Sequence, residues 1–285
     1  MDINSKARTE GVEKLYSFHE ILTHKNIYEH PLFMAIKDLF NRFPPFYLEQ
    51  GKKVYRARKV KPFERITNED DPNGFIGFGR KDSFVPKKEI IPKNRANFKG
   101  IPCLYASTSA STAIAEMRPY KGNQISVAEI KIRKGLKLFD FCLPPNHVGT
   151  HFNYAHPFDD IAPKDLNDFD ANFFNLRDKI ACMFAIPYES SDNNEYLPTQ
   201  YISEYVRNSN QFDGIKFTSS LSTDGENIVI FECKNEDDCQ NKDDAYVICE
   251  PISSKLFNIE DVGYFARCWN DYSEYISNPH WAWKK

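Results

Sequence analysis

The 285-residue sequence lacks the short glycine signatures of the commonest nucleotide-binding folds. No G-x-G-x-x-G motif follows a strand-like segment, and no G-x-x-x-x-G-K-[ST] motif occurs. Because those glycines let a backbone approach phosphate groups closely, a Rossmann or P-loop nucleotide site is not expected.

The sequence also lacks a large excess of charge and any long apolar run. Its 37 Lys and Arg residues face 40 Asp and Glu, a formal net charge of -3, so no global positive field favours a nucleic-acid partner. No basic start precedes an apolar run, and the longest apolar segments are well below the ~20 residues of a membrane helix. We therefore expect a soluble cytoplasmic protein without a nucleic-acid or membrane partner.

A cysteine framework and a metal-binding motif are missing as well. The seven cysteines are odd in number and contain no C-x-x-C pair, so they are expected to be reduced thiols. His147, His151 and His156 are the one cluster that suggests a metal. Prolines and a glycine in this stretch argue against the helix that would align them, and no cysteine completes a tetrahedral set. No metal and no cofactor are expected.

What the sequence does contain is enough apolar material for a large core and a mixed order of elements. Its hydrophobic share is 41%, including 23 Phe and 15 Tyr. Helical spacing predicts two short helices between residues 12 and 46, the second with Phe33, Ile36, Leu39 and Phe40 on its apolar face and ended by Pro44 and Pro45. Further helices are predicted over 109–117, 169–186 and 199–206 and in a C-terminal segment containing Phe265 and Trp269. Strands are predicted over 53–58, 104–107, 125–132, 136–141, 214–217, 228–231 and 246–249, with loops over 70–79 and 235–244.

This order predicts an α+β fold and not a regular βαβ alternation. We divide the chain into a helical N-terminal element (1–50), a catalytic domain (51–258) and a C-terminal helical tail (259–285).

Several short motifs recur here in an order that is typical of one family. They are Tyr55-Arg56-Ala57, Asn94-Arg95-Ala96-Asn97-Phe98-Lys99-Gly100, Leu104-Tyr105-Ala106-Ser107, Ala113-Ile114-Ala115-Glu116, Tyr196-Leu197-Pro198-Thr199-Gln200 and Asp213-Gly214-Ile215-Lys216-Phe217-Thr218-Ser219. Together they resemble the RES domain family over roughly residues 51–235. The family takes its name from an Arg, a Glu and a Ser, which correspond here to Arg95, Glu116 and Ser219.

The resemblance implies a fold like that of ADP-ribosyltransferases, a mixed β-sheet core with surrounding helices. It also implies a bacterial toxin that degrades NAD⁺, with NAD⁺ as substrate and a DNA-binding antitoxin or an immunity protein as partner. The catalytic residues implied are Arg95, Tyr105, Glu116 and Ser219. Tyr55, Arg56, Asn97 and Ser220 are assigned to substrate binding, and the neighbours Ser219 and Ser220 compete for the family serine.

The residue types fit the chemistry of that reaction. Cleavage of an N-glycosidic bond builds positive charge on the ribose, which a carboxylate such as Glu116 stabilises more in the transition state than in the ground state. Arginine pairs its donors with phosphate oxygens, a role expected for Arg95 helped by Arg56. Tyr105 is expected to lie against the nicotinamide ring. Ser219 is expected to orient nicotinamide or its ribose by hydrogen bonding.

Three functions remain open from the sequence. The first is hydrolysis or phosphorolysis of NAD⁺ by a growth-arresting toxin, with water or inorganic phosphate as acceptor. The second is an ADP-ribosyltransferase that passes the ribose to a macromolecule or metabolite, since another nucleophile can capture the same cation. The third is a non-catalytic nucleotide-binding module.

Overall fold

The protein is described by a computed structural model. It describes residues 27–29, 31–62, 64, 66, 74–142, 168–185, 196–219, 221–222 and 225–262. The first predicted N-terminal helix, the histidine stretch and the C-terminal helical segment lie outside these residues.

The described residues form an α+β fold, as predicted. Its four α-helices are α1 (Pro31–Arg42), α2 (Ala110–Glu116), α3 (Asp168–Ala185) and α4 (Leu197–Asn208). Its strands are β1 (Phe46–Leu48), β2 (Lys53–Lys59), β3 (Cys103–Ser107), β4 (Gln124–Ile132), β5 (Leu136–Phe141), β6 (Gly214–Thr218), β7 (Glu226–Phe231) and β8 (Cys249–Asn258). Short 3-10 turns cover Ile27–Glu29, Lys88–Ile90, Glu236–Asp238 and Lys242–Tyr246.

The strands join into one eight-stranded sheet with the order β1-β5-β6-β7-β3-β2-β4-β8. All neighbouring strands are antiparallel except β5 and β6, which are parallel. The link between β2 and β3 is a single pair of partners, Tyr55 and Ser107, whereas β2 pairs with β4 from Lys53 to Lys59. The sheet is therefore split at the β2–β3 junction into a five-stranded part and a three-stranded part.

Helices α1, α3 and α4 pack on one face of the five-stranded part. The predicted apolar face of α1 is confirmed, since Phe33, Ile36, Leu39 and Phe40 are all buried. They form one core cluster with residues of the other two helices and of β5, β6 and β7, including Ile180, Phe184, Ile202, Phe139, Ile215 and Val229. A second cluster on the opposite face includes Leu104, Ile130, Leu138 and Ile228.

Of two predictions near the C-terminal end of the sheet, one was wrong and one was confirmed in part. Residues 246–249 were predicted to be a strand, but Tyr246 ends a 3-10 turn and β8 begins only at Cys249. Residues 235–244 were predicted to be an exposed loop, and most of them are exposed. They nevertheless form two 3-10 turns, and Asn235 is buried, its Nδ2 donating to the carbonyl of Val85. A buried amide that satisfies a backbone carbonyl anchors this polar segment to the sheet.

Candidate active site

A cavity of about 410 Å³ opens where the sheet splits. Tyr55 and Arg56 of β2 line one side, and Tyr105 and Ser107 of β3 line the other. The volume falls in the range of small-molecule sites, about 300–1,000 Å³. The remaining lining comes from elements that meet at this edge: Ala57, Asn94, Arg95, Ala106, Ala113, Glu116, Met117, Arg118, Tyr196, Phe217 and Asn227.

Glu116 is the one acidic residue among those that line the cavity. It is the last residue of α2, a helix whose first turn is capped by Ser109, whose Oγ accepts a hydrogen bond from the Thr112 amide. The next turn is broken by Arg118, which has a left-handed φ of 45° and donates its N–H to the Ala115 carbonyl. A carboxylate at a helix C-terminus faces the negative end of the helix dipole, so the helix itself offers it no donor and hydrogen bonds must come from other elements.

Two side chains supply those donors. Ser219 Oγ and Asn227 Nδ2 each donate to Glu116 Oε1, at 2.6 Å in both cases. Oε2 makes no hydrogen bond to any described residue. Hydrogen bonds to an ionised group are stronger than neutral ones, so Glu116 is held through one oxygen while the other is left for a ligand.

Ser219 follows β6 and reaches the cavity only through Glu116. Its side chain is 4% exposed, its hydroxyl donates to Glu116, and its Oγ accepts the Leu221 amide at 3.1 Å. Its hydroxyl proton is given to the carboxylate here, and a hydrogen bond from Ser219 to nicotinamide or its ribose stays a prediction. Ser220, the competing serine, lies outside the described residues.

Arg95 lines the cavity from a tight turn in which Asn94 and Asn97 form a β-bridge. Its Nη1 donates to the carbonyl of Phe184 in α3. The guanidinium lies 5.5 Å from the Tyr196 ring centroid and 5.8 Å from that of Phe217, within the range of cation–π contacts. These contacts orient a positive charge along one wall.

Arg56 presents a second guanidinium from β2. Among the described residues, its side chain makes one hydrogen bond, a long one of 3.5 Å from Nη1 to the Ser83 carbonyl, and no carboxylate forms an ion pair with it. Burial, with a smaller contribution from the charge of Arg58, lowers the pKa of Arg56 to about 10, which leaves it charged at pH 7. A partly desolvated cation with so few partners favours an anionic ligand.

Tyr105 also lines the cavity, but its hydroxyl is used inside the protein. It donates to Asn97 Oδ1 at 2.7 Å and accepts the Ala96 amide at 2.9 Å. Burial raises the pKa of Tyr105 well above 10. The hydroxyl therefore fastens the turn that carries Arg95, while the ring remains on the cavity wall.

The structure does not bring Asn97 to the cavity. Its side chain is 2% exposed, its Nδ2 donates to the carbonyls of Pro92 and Phe98, and its Oδ1 accepts from Tyr105. With donors and acceptor all engaged, Asn97 supports the Arg95 turn and is not available to contact substrate.

Sequence reasoning assigned no role to five polar or charged lining residues: Asn94, Ser107, Arg118, Tyr196 and Asn227. Asn227 lies in β7, where a polar residue at the start of an apolar run looks like an ordinary strand end. Arg118 follows a helix and stands in no motif, whereas Tyr196 begins one of the family motifs, which alone does not show that it lines the cavity. With Arg56 and Arg95, Arg118 makes three arginines against the single Glu116 in the lining.

A larger cavity, of about 760 Å³, lies elsewhere and holds none of the expected site residues. There Arg80 and Arg133 each form an ion pair with one oxygen of Glu250, at 3.0 and 2.6 Å. Both arginines therefore already have an anionic partner within the protein. We therefore assign the chemistry to the smaller cavity.

A model of the RES domain family matches residues 79–248, more than half of the sequence. The chain belongs to the RES domain family. Membership is consistent with an NAD-related or toxin-like module. A search of curated proteins finds no match.

The RES match begins later than the motifs suggested, at residue 79 and not near 51, and it ends at 248. Arg95, Tyr105, Glu116 and Ser219 all lie within it. Tyr55 and Arg56 lie before it and are connected with the site by the cavity that they line. Among the described residues, no helix has the length and apolarity needed to cross a membrane.

Proposed function

We propose that this RES protein cleaves the nicotinamide–ribose bond of NAD⁺. The observation that carries the proposal is the anchored carboxylate. Glu116 is fixed through Oε1 by two donors at 2.6 Å, in a cavity that is otherwise lined by three arginines. This arrangement suits a dinucleotide with an anionic diphosphate and a sugar that becomes cationic during the reaction.

The carboxylate acts electrostatically. When the bond from ribose C1′ to the pyridinium nitrogen breaks, both bonding electrons leave with nicotinamide, which departs neutral, and the sugar is left with positive charge. Glu116 Oε2 stabilises that charge as it develops, in a site where the carboxylate needs little reorganisation. Water then adds to C1′ and loses a proton, giving ADP-ribose, or inorganic phosphate adds and gives the ADP-ribose phosphate ester.

The arginines bind the other end of the substrate. Arg95, oriented by Phe184 and two aromatic rings, and Arg56, which has a single long hydrogen bond, offer donors to the diphosphate oxygens. Binding energy from this remote group holds the ribose against Glu116. Of the aromatic side chains that line the cavity, Tyr55 and the ring of Tyr105 are the ones we assign to the nicotinamide.

In the cell we propose that this activity arrests bacterial growth by depleting NAD⁺. An enzyme that degrades its host's cofactor must be inhibited until it is needed. Because RES proteins are commonly paired with an antitoxin, we propose that an antitoxin or immunity protein covers the cavity. Co-expression with the adjacent gene product, followed by size-exclusion chromatography, is expected to yield a complex that lacks turnover.

The test of the proposal is the Glu116→Gln variant. Gln keeps the shape of the side chain but removes its charge, so kcat for nicotinamide release is expected to fall about 100- to 1,000-fold while NAD⁺ still binds. Turnover is measured by chromatography of nicotinamide, and binding by calorimetry. Wild-type kcat in Glu116→Gln would remove the carboxylate from the mechanism.

The same chromatograms separate the acceptors and the alternatives. ADP-ribose identifies water, a phosphate-dependent product identifies inorganic phosphate, and label retained on a macromolecule identifies an ADP-ribosyltransferase. Binding of NAD⁺ by the wild-type protein without release of nicotinamide would identify a non-catalytic module.

A further inference from the structure

Asn227 has both ends of its side-chain amide engaged at the bottom of the cavity. Nδ2 donates to Glu116 Oε1 at 2.6 Å, and Oδ1 accepts a hydrogen bond from Ser107 Oγ at 2.8 Å. Asn227 is 6% exposed and Ser107 is 3% exposed, so solvent hardly competes with either bond. The two hydrogen bonds therefore form a relay that runs from the Ser107 hydroxyl through the Asn227 amide to the Glu116 carboxylate.

The Glu116 carboxylate decides which way the amide faces, because a carboxylate only accepts hydrogen bonds. It keeps the NH₂ group turned toward Oε1, and the Ser107 hydroxyl, which can donate or accept, gives its one proton to Oδ1. The flipped amide would place Oδ1 against a carboxylate oxygen, losing a charge-assisted bond and gaining a repulsion. Ser107 thus satisfies the other end of the amide and holds Asn227 in the place from which it donates.

The strand ladder fixes the positions of the two residues. Ser107 and Asn227 are direct partners in the antiparallel β3–β7 pair, so their side chains stand side by side on one face. Ser107 is also the partner of Tyr55 in the one link that joins β2 to β3. The relay accordingly starts from the junction of the sheet and does not depend on a loop.

The result is an asymmetric carboxylate. Ser219 and Asn227 both donate to Oε1, and these two donors, one directly after β6 and one in β7, prevent the group from rotating about its last bond. With Ser219 alone, the carboxylate would keep one donor and could swing. Asn227 supplies a second hydrogen bond from a different direction, and this fixes the position of Oε2.

We infer that Asn227, held in place by Ser107, is a positioning residue that holds Glu116 with Oε2 presented to the ribose. The inference rests on the proposed NAD⁺ cleavage and adds a residue to it. Asn227 acts through Glu116 in this scheme and need not touch the substrate.

Two substitutions at 227 test the donor. Asn227→Asp keeps the shape but replaces the NH₂ donor with an oxygen that repels Glu116, and Asn227→Leu keeps the approximate volume without any donor. Each is expected to lower kcat about 10- to 100-fold, Asp more than Leu, because a charge-assisted bond is lost and the reacting group is misplaced. KM for NAD⁺ is expected to stay within about twofold, since the diphosphate contacts are intact.

A pair of substitutions at 107 tests the hydrogen bond by which Ser107 holds the Asn227 amide. Ser107→Thr and Ser107→Val have the same shape, so they disturb packing equally and differ in the hydroxyl alone. We expect Thr to recover most of the activity that Val loses. A purely structural role for Ser107 would give equal losses in the two variants.

Gln124→Leu serves as the control. Gln124 donates across strands to Asn258 Oδ1 at 3.0 Å at the exposed end of the β4–β8 pair and does not line the cavity, so its removal is expected to leave kcat unchanged. Melting curves for all variants report folding, and the kcat and KM values are compared among folded variants.

The outcomes separate this inference from the proposed function. If the wild-type protein releases no nicotinamide, the proposed function fails and the inference falls with it. If the wild-type is active and Asn227→Asp has wild-type kcat, or the Thr and Val variants at 107 are equally impaired, the positioning inference alone is overturned.

Discussion

At the scale of single residues, the site depends on side chains that hold other side chains. Tyr105 was assigned to the nicotinamide ring by family resemblance, yet its hydroxyl bridges the Ala96 amide and Asn97 Oδ1. Ser219 was assigned to the substrate, yet it donates to Glu116. In both cases a residue of a family motif holds another part of the site. Tyr105 holds the Arg95 turn, and Ser219 holds the Glu116 carboxylate.

Tyr105→Phe is expected to loosen the Arg95 turn. It leaves the Ala96 amide and Asn97 Oδ1 without a partner, which should cost about 1–3 kcal/mol of unfolding free energy. Because Arg95 binds the diphosphate in our proposal, KM for NAD⁺ should rise more than kcat falls. Urea unfolding and steady-state kinetics measure the two effects.

Tyr47→Phe provides the matched comparison, since Tyr47 is 67% exposed on the edge strand β1. It should match the wild-type in both measurements. If Tyr105→Phe were also unchanged, the hydroxyl would not be what holds the turn.

The residues that the sequence reveals differ from those that need the fold. Arg95, Tyr105 and Glu116 stand within 22 positions of one another in recognisable motifs, and all three line the cavity. Asn227 depends on Ser107, which is 120 positions away in the chain, and the two meet only when β3 pairs with β7. No local pattern carries such a pairing.

At the scale of elements, the segment before the Arg95 turn is fixed by buried hydroxyls. Ser126 Oγ accepts the Phe78 amide, and Ser254 Oγ accepts the Gly77 amide and donates to the Phe78 carbonyl. Ser83 Oγ also donates to that carbonyl, and the Ser83 carbonyl accepts from Arg56. Strands β4 and β8 therefore hold the segment that contacts the cavity arginine.

Gly77→Ala should disturb this arrangement. An added Cβ would lie 2.1 Å from Ser126 Oγ and 3.1 Å from Ser254 Oγ, both of which are committed to hydrogen bonds. Unfolding free energy is expected to fall by about 1–3 kcal/mol, as in other overpacked sites. The midpoint of urea unfolding is the readout.

Gly135→Ala is the control for that measurement, because its Cβ would meet nothing closer than the Leu48 carbonyl at 4.0 Å. It should leave the midpoint close to that of the wild-type. An equal fall in both variants would point to loss of glycine itself and not to the crowding at Ser126.

Physical properties of the strands explain which of them were predicted from the sequence and which were not. In the five-stranded part, β6 and β7 are buried on both faces apart from Glu226, β5 is buried at its apolar positions, and all three were predicted closely. β8 contains Pro251 and two adjacent serines, which weaken a strand pattern. Proline is tolerated there because β8 is an edge strand whose register shifts beside Pro251, between Glu129 and Ile130 of its partner. β1 has three residues, too few for any periodicity.

At the scale of the whole molecule, the site lies at the split of the sheet. The family match covers residues 79–248, but β2 lies before it and contributes Arg56 and Tyr55 to the same cavity. The predicted α+β class follows from the mixed order of elements, whereas the single-pair junction between β2 and β3 arises from strand pairing that composition does not encode. The division into segments 1–50, 51–258 and 259–285 stays a prediction.

The most direct test of this account follows NAD⁺ and nicotinamide together in one reaction of the wild-type full-length protein, resolved by chromatography over time. We predict that nicotinamide appears in a one-to-one ratio with the NAD⁺ that disappears, and that Glu116→Gln suppresses both changes. NAD⁺ that stays intact with the folded wild-type protein, in the presence of water and of inorganic phosphate alike, would contradict the account.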